Sequence, residues 1–469
     1  MRRSGDDAAL AGLVAAILLA GSPPVAAAPA APPVQLTAEQ ERARELALLG
    51  LDRTRPGADG RDPAAPNAAS YDEATANPWP LPDPLVLADG RRVASPRQWW
   101  TVRRPQIARA ADETLYGRTP RRTPRVAWRL AERRGETLYG VPVVTRVLDG
   151  RLDAAAAPAI QVHIRATLVT PRAVLESGRR APAVLALTWA SLPPGLASLP
   201  PEPGPDYRRQ ILERGWSYVI YDPTSVQPDS GAGLTQGVIG LVNRGRPRSL
   251  DDWGALRAWA WGASRVLDRL AAEPGINPAK VAIFGHSRYG KAALVAMADD
   301  PRFAAGYISS SGAGGAAPYR RHWGEQVENV AAASEFHWMA GNFLRYAADP
   351  LTAHDLPVDT DSVIALAAPR PLFFGAGSAP GDAWVDPHGM FMAAAAAGDV
   401  YALLGRRPLP AAFPPVETLL DTGDLAWRQH PQGHTPSPNW PYFLDFAARA
   451  FAAPRPGRPR VDAGLPLPN

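Results

Sequence analysis

Two hydrophobic rhythms divide the chain. Across residues 159–170 (AIQVHIRATLVT) apolar and polar positions alternate, which predicts a half-buried strand in an antiparallel setting. Further on the alternation stops. Residues 182–189 (PAVLALTW), 216–221 (WSYVIY), 281–284 (VAIF) and 371–374 (PLFF) are unbroken apolar runs, as strands covered on both faces require. Between them lie stretches at helical spacing. Leu256, Trp259, Ala260, Ala263, Val266, Leu267 and Leu270 share one face, and Gly275-Ile276-Asn277-Pro278 is expected to end that helix. Strands alternating with helices imply crossovers, a mostly parallel sheet and helices on both faces.

The flanks read differently. Arg2 and Arg3 precede an apolar run over 8–20, followed by Gly21, Pro23, Pro24 and Ala26-Ala27-Ala28. These are the parts of a secretory signal, expected over 1–28, and the run falls short of the roughly 20 residues that span a bilayer. No second apolar stretch approaches that length, so the mature protein is expected outside the cytoplasm and free of the membrane. Residues 29–100 read as a Pro/Ala-rich N-terminal extension, of which about 29–66 are a tether with one short surface helix over 37–49 that Thr37 would cap. Residues 77–84 (NPWPLPDP) are extended and turn-rich, because each Pro moves its predecessor out of the helical region. A helix is expected over 104–115 and strands from Val126 onward. One catalytic domain over 101–455 and a tail over 456–469 complete the division.

Composition narrows the chemistry. The 469 residues include no Cys, which excludes disulfides, zinc-thiolate sites and a cysteine nucleophile. The net charge is +5, but the arginines are scattered and no basic block is interleaved with aromatics, so no nucleic-acid partner is expected. With 46% hydrophobic and 20% charged residues the balance is globular.

The segment 280–291 (KVAIFGHSRYGK) runs from a buried strand into a tight turn, and 292–298 (AALVAMA) follows as an apolar helix. A serine at such a strand-to-helix turn is a nucleophile elbow, and the helix start offers N–H groups to a developing oxyanion. Ser287 is the candidate nucleophile. The elbow, the parallel sheet and the antiparallel N-terminal part together predict an α/β-hydrolase fold. One departure is visible: the general pattern wants Gly two residues after Ser, where Tyr289 stands, and Gly290 comes one later.

In that fold the chain order is Ser, then acid, then His. Two aspartates follow the 371–374 strand. Asp386 precedes Pro387 and a helical run over 390–397, which suits a helix cap. Asp382 has no visible capping duty and is the candidate triad acid, with Asp386 its competitor. Two histidines compete for the base within 428–435 (RQHPQGHT), where Pro431 and Gly433 predict a loop. His434, just before a final helix over 442–451, is the candidate base, and His430 reads as structural. Ser287 would then attack an ester carbonyl, with an acyl-enzyme intermediate. Such a set needs no cofactor and no metal.

Gly285, Ser287, Arg288, Gly290 and Lys291 match Gly-x-Ser-Arg-x-Gly-Lys, the nucleophile motif of carbohydrate esterase family 15, the glucuronoyl esterases. Further resembling stretches are 311–315 (SGAGG), Val327-Glu328-Asn329, His337-Trp338 with Asn342-Phe343, 356–359 (LPVD), 365–371 (ALAAPRP), Asp382-x-Trp384 and Gly433-His434. The resemblance covers roughly 182–451. It accounts for Tyr289, since that family keeps its glycine at the later place. It implies an esterase on plant cell-wall glucuronoxylan, cleaving esters between 4-O-methyl-glucuronic acid and lignin alcohols; the signal places it as secreted or periplasmic, and a monomer is expected. Arg288 would stand at the oxyanion, Lys291 and Glu328 would bind sugar hydroxyls, and Trp384 would lie along the sugar. Fungal members carry the acid at the position of Ser310, so here it must come from Asp382. An expected Asn-Phe-x-Gly-Asn segment is replaced by Thr188-Trp189-Ala190-Ser191. An acetyl-xylan or other carbohydrate esterase, or an inactive carbohydrate-binding relative, are the alternatives.

Overall fold

A computed structural model describes residues 32–77, 79–189, 204–378 and 380–453. The expectations for a signal at 1–28, a tail at 456–469 and the replacement at Ala190-Ser191 lie outside the described residues.

The alternating stretch forms β3 (His163–Pro171), preceded by a long hairpin of β1 (Val126–Leu138) and β2 (Val141–Leu152). Tyr139 and Gly140 join that hairpin, both with positive φ, as a two-residue turn matched to strand twist needs. The apolar runs become β4 (Ala181–Leu187), β5 (Ser217–Tyr221), β6 (Ile276–His286) and β8 (Leu372–Gly377). β7 (Ala305–Ser309), the short β9 (Leu419–Leu420) and β10 (Leu425–His430) complete one sheet among the described residues. Its order is β1-β2-β3-β5-β4-β6-β7-β8-β10-β9. β5, β4, β6, β7, β8 and β10 run parallel to one another, whereas β1, β2 and β3 pair antiparallel, β3 meets β5 antiparallel and β9 closes the far edge antiparallel. This mostly parallel sheet with helices on both faces is the α/β-hydrolase architecture that the sequence pattern predicts.

Period-two alternation sorts the central strands onto two cores. Leu185 and Ile283 face one core, which includes Leu256, Trp259 and Leu267 of a helix spanning Ala255–Ala271. Val184, Ala282 and Phe284 face the other, with Ile211 from Tyr207–Glu213 and Phe443 and Leu444 from the final helix. In chain order the longer helices are α1 (Ala38–Leu48), α2 (Arg104–Thr114), α3 (Tyr207–Glu213), α4 (Ala255–Ala271), α5 (Arg288–Asp299), α6 (Thr360–Leu366), α7 (Pro387–Leu403) and α8 (Trp440–Ala452).

Three local expectations need correction. Gly275-Ile276-Asn277-Pro278 does not merely end α4, because β6 already begins at Ile276. His430 is not in a loop but is the last residue of β10, beside β8. The described part of the expected tether, residues 32–66, is not free: the Val34 N–H donates to the Gly245 carbonyl at 2.9 Å and the Arg55 N–H to the Ala347 carbonyl at 2.7 Å. Thr37 caps α1 in a reciprocal box with Gln40, and Glu45 of α1 is fully buried against Arg248 at 2.7 Å. Among the described residues no helix is long and apolar enough to cross a membrane.

Candidate active site

The site lies at the C-terminal ends of the parallel strands, where β6 turns into α5. Ser287 takes φ 57° and ψ −131°, a region that non-glycine residues rarely occupy. Small residues make this turn possible. A Cβ on Gly285 would sit 1.9 Å from the Tyr289 carbonyl oxygen, and one on Gly290 would sit 2.8 Å from that of Ser309. The glycine one place late is therefore the residue that lets α5 pass β7. Tyr289 turns inward against Trp189 and Trp259, at 5.1 and 5.5 Å between ring centres. The Ser287 N–H donates to the Ser309 carbonyl at 2.9 Å and anchors the elbow to β7. Arg288 opens the helix, so its N–H lacks an intrahelical acceptor and is open to an oxyanion.

Asp382 follows β8 on the one-turn helix Pro380–Ala383 and is fully buried. Its Oδ1 accepts from His434 Nδ1 at 2.6 Å. Its Oδ2 accepts from Ser310 Oγ at 2.9 Å and from the Gly377 N–H. A proton on Nδ1 leaves Nε2 of His434 as the basic nitrogen. The structure thus joins Asp382, and not Asp386, to His434. Asp386 has the capping geometry: its Oδ1 accepts from the Gly389 N–H at 2.9 Å and its Oδ2 from Arg321 at 2.8 Å.

His434 lies over His286, the neighbour of Ser287, with ring centres 4.3 Å apart. Burial, and then the charge of His434, push the His286 imidazole well below its ordinary value. A neutral His286 does not compete with His434 for a proton. His430 is buried and shapes the loop beneath the base: its Nε2 meets the Thr435 carbonyl at 2.8 Å, and the Gln432 N–H donates to its Nδ1 at 3.2 Å.

Arg288 donates from Nη1 to Asp229 Oδ2 at 2.5 Å and lies over the Trp338 ring, 5.2 Å from its centre. Lys291, one turn along α5, is 3% exposed and donates to Glu325 Oε2 at 2.8 Å and to the Ala313 carbonyl. Glu328 does not meet Lys291. Glu328 Oε1 accepts from Nε and Nη2 of Arg55 at 3.0 and 2.9 Å, so the N-terminal segment engages it. The carboxylate that meets Lys291 is Glu325, whose N–H bonds the Trp384 carbonyl at 2.9 Å. Trp384 itself is half-buried, its ring against Gly60 of the N-terminal segment, where a Cβ would come within 2.6 Å. The sequence offered one signal for Glu325, its own acidic side chain three residues before Glu328; nothing local ranks the two. Among the described residues no group of His, Asp and Glu could hold a metal ion.

The family described as "Glucuronyl esterase, fungi" matches residues 248–405. Carbohydrate esterase MZ0003, from an unknown prokaryotic organism, is 30% identical over 423 residues, which cover 82% of this chain and 92% of that protein. A solved carbohydrate esterase family 15 glucuronoyl esterase from Teredinibacter turnerae is 41% identical with a TM-score of 0.81, covering 88% of this chain and 99% of its own. The chain belongs to carbohydrate esterase family 15. It is a carboxylic ester hydrolase on the α/β-hydrolase fold. The fungal relative from Wolfiporia cocos, a 4-O-methyl-glucuronoyl methylesterase, is 28% identical over 339 residues, 69% of this chain and 72% of that protein.

Proposed function

We propose that this chain is a secreted esterase that cleaves glucuronoyl esters, the uronate carried on xylan and the alcohol derived from lignin, through an acyl-enzyme on Ser287. His434 takes the hydroxyl proton, and Asp382 holds the imidazole tautomer and stabilises the imidazolium. The Ser287 oxygen adds to the ester carbonyl. The negative charge on the tetrahedral carbon's oxygen meets the Arg288 N–H and guanidinium, a fixed charge that never deprotonates. His434 then protonates the departing alcohol. Water, deprotonated by the same histidine, adds to the acyl-enzyme and releases the uronic acid with Ser287 restored. Lys291, held by Glu325, and Trp384 line the sugar side.

The observation that carries this reading is the 2.6 Å contact between Asp382 and His434 beside a serine at φ 57° that an arginine follows. The names of the relatives from Teredinibacter turnerae and Wolfiporia cocos support the substrate class. The test is hydrolysis of benzyl glucuronate and of acetylated xylan by the wild type and by Ser287→Ala. The expected result is turnover of the glucuronate, a loss of at least about 10⁴-fold in the variant and little release of acetate. Preferred release of acetate makes the chain an acetyl-xylan esterase, and equal rates for the two proteins refute the Ser287 mechanism.

A further inference from the structure

Arg288 occupies a prepared seat. Asp229 stands in the segment between the short turns Pro223–Ser225 and Gly231–Gly233. Its two oxygens divide their work. Oδ2 accepts from Arg288 Nη1 at 2.5 Å, while Oδ1 accepts from His337 Nε2 at 2.9 Å and from Trp338 Nε1 at 2.7 Å. Trp338 acts twice, since its N–H holds Asp229 and its ring face lies beside the guanidinium. His337 is 1% exposed, and burial pushes its imidazole below the ordinary value, so it donates from Nε2 in its neutral form. For Asp229 burial alone would raise the carboxyl. The hydrogen bond from His337 and the charge of Arg288 outweigh it, and the carboxyl falls to about 2. Glu335 also acts on the Arg288 guanidinium, and Glu325 pairs with Lys291 at 2.8 Å.

We infer that Asp229 is a positioning residue for the esterase reaction: with His337 and Trp338 it fixes the Arg288 guanidinium by one N–H and leaves the remaining N–H groups for the oxyanion. The argument rests on the proposed role of Arg288. An arginine side chain left to itself populates many rotamers and must be ordered as the transition state forms. A carboxylate and an indole face that hold it beforehand remove that step. The opposing effect is electrostatic, because a permanent negative charge weakens the field of Arg288 at the oxyanion. The two effects differ in sign, so the variant decides between them.

The experiment measures kcat and KM on benzyl glucuronate for Asp229→Asn, Arg288→Ala and the double variant. Asp229→Asn keeps the size and an acceptor for His337 or Trp338 but loses the charge. It is expected to lower kcat about 10- to 100-fold with KM within about twofold. In the Arg288→Ala background the same change is expected to have no further effect, because nothing remains to position. Trp338→Phe, which keeps a ring and loses the N–H, is expected to show a smaller kcat loss that also vanishes in that background. A kcat that is unchanged or raised in Asp229→Asn overturns the inference, as does an equal loss in both backgrounds or a loss confined to KM. If Asp229→Asn shows no folded transition on heating, Trp338→Phe decides, and an unchanged kcat there overturns the inference. Full activity in Arg288→Ala with inactivity in Ser287→Ala overturns this inference together with the oxyanion role of the Arg288 guanidinium, and leaves the Ser287 esterase reading standing. Full activity in Ser287→Ala overturns the functional reading beneath it.

Discussion

Three donors converge on Asp382, and each comes from a different part of the fold. The Gly377 N–H comes from the end of β8, the Ser310 hydroxyl from the segment after β7, and His434 from the loop after β10. An amide in its place could present its NH₂ to Nδ1 and force the wrong tautomer. Asp382→Asn is therefore expected to lower kcat about 10³- to 10⁴-fold with the fold intact, read by kinetics beside circular dichroism. A loss below tenfold would mean that another carboxylate orients His434. Glu335 supplies a second prediction. Burial first, and then the charge of Glu325, raise its carboxyl from 4.5 to about 7 against the pull of Lys291 and Arg288. Its Oε2 is buried without a hydrogen-bond partner among the described residues. The folded state holds this proton more tightly than the unfolded chain, so that stability is complete below about pH 4.5 and is lost as pH rises through about 7. Glu335→Gln cannot ionise. Its Tm is expected above that of the wild type at pH 8 and equal to it at pH 4.5, and an equal shift at both would refute the assignment. At this scale the sequence discriminates where a local duty exists. Asp386 has its Pro387, so a cap is legible and Asp382 remains for His434. Glu325 and Glu328 have no such marker, and Arg55, 273 positions away from Glu328, separates them.

At the scale of elements, the elbow couples backbone strain to two close approaches. Gly285→Ala would push a methyl into the Tyr289 carbonyl, a backbone atom that cannot rotate away. It is expected to cost about 1–3 kcal/mol or more in urea unfolding and to displace Ser287. Gly433→Ala is the control, because nothing lies within 4 Å of a Cβ there although His434 is next in sequence. Equal destabilisation in the two variants would refute the steric account. The runs that were legible, β4, β5, β6 and β8, are those whose side chains enter apolar cores on both faces. β10 was not. Its Arg428, Gln429 and His430 look like loop residues, yet Arg428 donates to Asn439 at 2.7 Å and Gln429 to the Gly377 carbonyl at 3.0 Å. Polar groups satisfied by distant partners can be buried in a strand, and no local pattern announces them. β7 (Ala305–Ser309) was missed for another reason, its small residues giving little hydrophobic signal over five positions.

At the scale of the molecule, the N-terminal segment belongs to the catalytic unit. Arg55 holds Glu328, Asn329 bonds both the N–H and the carbonyl of Ala58, and Gly60 backs Trp384. The clamp further up the chain is Glu45 on α1 with Arg248, both side chains fully buried. Burial raises the Glu45 carboxyl even with Arg248 beside it, so the pair is costly to form and more costly to break. Arg248 also donates to the carbonyls of Trp253 and Met339, which ties α1 to the chain just after Trp338. Removal of Glu45 leaves a buried guanidinium whose other hydrogen-bond partners, the Trp253 and Met339 carbonyls, carry no charge. A chain that starts at Asp52 is thus expected to melt well below one that starts at Pro32. Glu45→Ala within the longer chain should reproduce most of that loss, about 3–5 kcal/mol. Because Met339 follows the residue whose ring supports Arg288, the same variant is expected to lower kcat before it unfolds. An activity that stays at the wild-type value up to the melting transition would show that the clamp secures the N-terminal segment and nothing in the site.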